Sequence, residues 1–102
     1  MDQGILNQRQ AIKLFPDFLP AYARLAELLS KQDKNKEAEE QYKLALKMSP
    51  DDAVTGTAYG KFLERIGRKD DARTALKKVL DKTPKFKPAS DALAALEQAK
   101  TK

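Results

Sequence analysis

Neither cysteine nor histidine occurs anywhere in this 102-residue chain. Without cysteine there is no disulfide framework, and both redox compartments stay open. The two absences together remove the usual ligands for zinc and the softer transition metals, and with them the commonest general base. Catalysis would have to rest on carboxylates, lysine or tyrosine. Long apolar runs are also missing: none approaches the ~20 residues that span a bilayer. The opening MDQGILNQRQ lacks the charged-then-apolar order of a secretion signal. Localisation is left unassigned, with the cytoplasm as the default. Glycine is scarce, and the four present, at 4, 56, 60 and 67, make no phosphate-binding loop. No cofactor and no metal is expected.

What the chain has instead is a period. The phrase PDFLPA at residues 16–21 returns as PKFKPA at 84–89, and PDDAVT opens at residue 50 between them. Pro16, Pro50 and Pro84 are therefore spaced by 34 residues each time. Self-similarity at one fixed period marks stacked supersecondary units. Proline cannot continue a helix and disfavours helix at the residue before it, so each of the three marks a chain reversal. Pro20 and Pro88 read as helix starts, where the missing N–H costs nothing, and Asp17, Asp51 and Asp52 are capping candidates.

Apolar residues follow at helical spacing. Tyr22, Leu25, Leu28 and Leu29 share one stripe, as do Tyr59, Phe62, Leu63 and Ile66, and Ala89, Ala92, Leu93 and Leu96. A second set, Ala38, Tyr42, Ala45 and Leu46, recurs 34 residues on as Ala72, Leu76, Val79 and Leu80. Short polar links, SKQDKNK and IGRKDD, join the sets and force antiparallel helix pairs. Gly67 is placed to end a helix in the left-handed conformation. Six helices are predicted, over residues 4–15, 18–31, 35–48, 52–66, 69–82 and 87–100. Helix 52–66 is intrinsically weak, because Gly56 stands among Val54, Thr55 and Thr57.

These residues carry a resemblance. The tetratricopeptide repeat has 34 residues, two antiparallel helices and the pattern W-x2-L-G-x2-Y…A-x3-F…P. Residues 22–50 resemble it as Tyr22-x2-Leu25-Ala26-x2-Leu29, Ala38-x3-Tyr42 and Pro50, and residues 56–84 as Gly56-x2-Tyr59-Gly60-x2-Leu63, Ala72-x3-Leu76 and Pro84. The resemblance implies an all-α, right-handed superhelical stack of antiparallel helix pairs in one domain: a half-repeat helix at 1–16, repeats at 17–50 and 51–84, and a capping helix at 85–102. Ala26, Gly60, Ala38 and Ala72 are the small residues that let paired helices approach. Glu97, at the position of Leu29 and Leu63, reads as a solvent-facing cap. A chain opening midway through a repeat is expected to come from a longer array.

In this family the first helices of successive repeats line a concave groove that binds a peptide or partner protein. The implied partner-binding positions are Arg24, Glu27 and Lys31, then Thr57, Lys61, Glu64 and Arg65, then Asp91 with Ala95 and Gln98 on the last helix. Some members clamp a chaperone's C-terminal carboxylate with lysine and asparagine. Here those places hold Ala23, Glu27, Ala58, Pro88 and Ala92, so that ligand is not expected.

Charge separates the remaining readings. Residues 61–87 carry ten positive and four negative side chains, which favours an acidic partner over nucleic acid. The acidic neighbours Asp51–Asp52 and Asp70–Asp71 stand at helix starts, where they complement the helix dipole rather than perform acid–base chemistry. The sequence therefore describes a non-catalytic interaction scaffold. Self-association, with residues 87–100 of one molecule completing a repeat against 4–15 of another, and single-stranded RNA binding are the alternatives.

Overall fold

The computed structural model of the protein describes residues 3–100, and side chains as far as Gln98. Among the described residues there are six helices: α1 (Gln3–Leu14), α2 (Leu19–Lys31), α3 (Asn35–Met48), α4 (Ala53–Arg65), α5 (Lys69–Lys82) and α6 (Lys87–Lys100). Each end falls within one residue of the helix that the period predicts. Two compact units result, Met1–Pro50 with α1 to α3 and Asp51–Lys102 with α4 to α6.

In the N-terminal unit, α2 packs against both α1 and α3. Its buried face is Ala21, Tyr22, Leu25, Ala26, Leu29 and Ser30, met by Ala38, Tyr42 and Ala45 of α3. Ile5 is the buried residue of α1. Ala21, Ala26, Ala38 and Ala45 have no exposed surface at all, so the helices approach on methyl groups while Leu25 and Leu29 fill the space beside them. The exposed ion pair Arg9–Glu37, at 3.7 Å, ties α1 to α3 and contributes little.

The C-terminal unit repeats the α2/α3 pair as α4/α5 with different side chains and adds its third helix differently. α4 packs on α5 and α6, and α5 on α6. Leu63, Leu76 and Leu96 form the fully buried centre. A methyl added at Gly56 would stand 2.5 Å from Val79 Cγ2, and one at Gly60 would stand 2.8 Å from Leu76 Cγ and Cδ2. The two glycines thus receive large side chains of α5, which explains their spacing.

The repeated phrase builds one corner twice. Phe18 N–H donates to Phe15 O and Ala21 N–H to Phe18 O at 2.9 and 3.1 Å. Phe86 N–H and Ala89 N–H make the same bonds to Thr83 O and Phe86 O at 3.0 and 3.1 Å. The proline before each alanine occupies the second helical position, where no donor is needed, and Ala21 and Ala89 are fully buried beneath it. The N-cap of α2 is Phe18 without a side-chain bond, so Asp17 lies in the turn and is not the cap. At the middle corner the expectation for Asp52 is met: Oδ2 accepts from Thr55 N–H at 2.8 Å. Such a cap contributes about 1 kcal/mol, an offset to the poor helix propensity of α4.

The two interhelical turns also match. Lys34 N–H donates to Leu29 O at 3.0 Å and Arg68 N–H to Leu63 O at 2.8 Å, the six-to-one closure of a Schellman end. The left-handed residue is Gly67 (φ 91°) in one and Asp33 (φ 61°) in the other.

Candidate functional site

On α2 the buried stripe leaves Arg24, Glu27 and Lys31 exposed, a row at spacing i, i+3 and i+7 along one side of the helix. Arg24 Nη1 donates to Glu27 Oε1 at 3.2 Å, which holds the first two side chains against each other. Lys31 pairs with no carboxylate among the described residues. The row therefore consists of one neutral pair and one free positive charge.

On α4, Lys61 and Arg65 are exposed one turn apart, and Glu64 beside them is half-buried. Thr57 departs from the expectation. It is 5% exposed, and its Oγ1 meets no hydrogen-bond partner among the described residues. Thr55, Gly56 and Thr57 are buried in succession, so the start of α4 is covered over a wider arc than its large apolar residues mark. The exposed row on this helix begins at Lys61 and not at Thr57. On α6, Asp91 is exposed and accepts from Lys87 Nζ at 3.4 Å, while Ala95 and Gln98 are also exposed.

A cluster that the sequence did not single out lies between α5 and α6. Arg73 Nη1 donates to Asp70 Oδ1 at 2.9 Å and its Nε to Glu97 Oε1 at 3.1 Å, with only 17% of the arginine side chain exposed. The Asp70 carboxylate, and then Glu97, hold the guanidinium above its ordinary pKa. Glu97 is exposed, as expected of a solvent-facing position, and is in addition the partner of Arg73 on α5. Arg68 meanwhile pairs with Asp71 at 2.9 Å. The acidic neighbours at the start of α5 are thereby committed to arginines.

Among the described residues no three acidic side chains gather as metal ligands, and no helix is long and apolar enough to cross a membrane. The family model of the tetratricopeptide repeat matches residues 31–97. A search of curated proteins found no match.

Proposed function

Because the chain belongs to the tetratricopeptide repeat family, whose repeats generally mediate protein–protein interaction on a typically non-catalytic scaffold, we propose that it binds a segment of another protein through the exposed rows of its first helices. The row of α2, Arg24, Glu27 and Lys31, carries the reading. These side chains take no part in the buried stripe of their helix, so selection on packing leaves them free to choose a ligand. Lys61 and Arg65 on α4 and Asp91 on α6 are assigned the same role, and Thr57 is withdrawn from it because it is buried. Holding a ligand on rigid helices limits the ordering cost to the ligand and a few long side chains.

Self-association is the weaker reading. The exposed side of α6 offers Ser90, Asp91, Ala94, Ala95, Glu97 and Gln98, with no large apolar residue to bury against a second copy.

The test is affinity capture on the immobilised chain beside its Lys61→Glu/Arg65→Glu variant, with circular dichroism melts of both. The expected result is a retained protein that the variant loses at unchanged melting temperature. Identical retention on both surfaces overturns the assignment to α4. A chain that captures nothing overturns the scaffold reading.

A further inference from the structure

We infer that the C-terminal half of α5 and the turn after it form a docking surface for an acidic protein segment, built by Lys77, Lys78, Lys82 and Lys85. This surface is independent of the rows on the first helices. It follows from how the ion pairs divide the charge of this unit. Arg68 and Arg73 take Asp71, Asp70 and Glu97 at the start of α5. The four lysines are exposed and pair with no carboxylate among the described residues. Asp81 is the acidic residue set among them, and it too is exposed. One end of the helix is neutralised in place and the other is left with a positive excess.

Spacing and surroundings select the occupant. Lys78 and Lys82 are one turn apart, ~6 Å along the axis at 1.5 Å per residue. Alternate side chains of an extended chain stand ~6.6 Å apart, so every second residue of an acidic segment meets successive lysines. Nucleic acid is disfavoured, because the arginines that would grip phosphate bidentately are occupied and no aromatic side chain of this unit is exposed for base stacking. A membrane surface is disfavoured on a separate ground. Val54, on α4, is the exposed large apolar residue of this unit, so α5 has no apolar residue to insert.

The experiment titrates a ten-residue oligoglutamate into the isotope-labelled full chain at low ionic strength and follows amide chemical shifts. Saturating shifts should cluster at residues 77–85 and weaken as salt rises through the range where the screening length falls below ~10 Å. Lys78→Glu/Lys82→Glu should lower the affinity about tenfold or more, and Lys36→Glu, on α3 and outside every row assigned to a ligand, should leave it unchanged. Lys78→Gln/Lys82→Gln, which removes charge without reversing it, gives an intermediate loss and stands in if the reversed variant misfolds. Three results overturn the inference: shifts spread evenly over all exposed lysines, undiminished affinity in both double variants, or tighter binding of oligothymidylate or phosphatidylserine vesicles at the same residues. Shifts confined to residues 24–31 and 61–65 would assign the peptide to the first helices instead, and would leave the proposal for those helices standing while removing this one.

Discussion

At one of two equivalent contacts the two units solve the same packing problem with opposite choices of size. In the C-terminal unit, Gly56 of α4 faces Val79 of α5 and Gly60 faces Leu76. Thirty-four residues earlier the same positions hold Tyr22 with Ala45 and Ala26 with Tyr42. Tyr22 with Ala45 is large against small and Gly56 with Val79 the reverse, while Ala26 with Tyr42 and Gly60 with Leu76 are small against large in both units. What recurs is a large side chain set against a small one rather than the residue at either position or the summed volume, since tyrosine with alanine fills more space than glycine with valine or leucine.

The largest expected effect comes from moving one half of a pair without the other. Gly56→Tyr installs the residue of the N-terminal unit against Val79, whose branched side chain has one favoured rotamer in a helix and cannot turn aside. The cost should be about 3 kcal/mol. Adding Val79→Ala completes the Tyr22–Ala45 combination and should recover more than half of that loss, a coupling of about 2 kcal/mol readable from denaturant midpoints. A double variant no more stable than Gly56→Tyr alone would show that setting large against small is not what the two corners share.

A smaller difference lies in how each corner is fastened. Tyr22 Oη donates to Pro16 O at 2.7 Å, a bond that Gly56 cannot make. The middle corner relies on Asp52 and its bond to Thr55 N–H at 2.8 Å. Tyr22→Phe and Asp52→Ala should each cost about 1 kcal/mol, one through a lost hydrogen bond and the other through a lost cap. Hydrogen exchange separates them. The first should loosen amides of the N-terminal unit and the second those of the C-terminal unit, and a uniform loss across both would contradict two separately fastened corners.

The parts of this molecule that follow a period were legible in the sequence. Proline spacing and apolar stripes placed all six helices, and the cap at Asp52 and the turn at Gly67 followed from residue chemistry. Three features escaped for physical reasons. Thr57 is buried among Thr55, Gly56 and Gly60, small residues that add nothing to a hydrophobic stripe and so widen a buried face invisibly. Arg73 and Glu97 meet across two helices and 24 residues, beyond the reach of local charge-pairing rules. Of the expected site residues Thr57 is buried and Glu64 half-buried, and the ligand choice of the exposed ones is written in side chains that no packing constraint fixes.

Asp33 is the third, and it yields the smallest prediction. It holds a left-handed φ of 61° where its counterpart, Gly67, holds 91°. A side chain there costs about 1 kcal/mol of backbone strain, which aspartate bears better than most residues. Gly67→Ala should therefore lose about 1 kcal/mol. A methyl there meets no atom within 4 Å, so no steric clash adds to the loss. The reciprocal Asp33→Gly relieves strain but frees the unfolded chain, and these oppose each other to leave a gain of about 0.5 kcal/mol. That corresponds to a rise of roughly 2–4 °C in melting temperature for a chain of this size. Among the described residues Asp33 makes no side-chain hydrogen bond that glycine would forfeit. A fall in melting temperature would mean that the carboxylate contributes more to this turn than its backbone costs, and that α2 and α4 end by different physics despite the same closing bond.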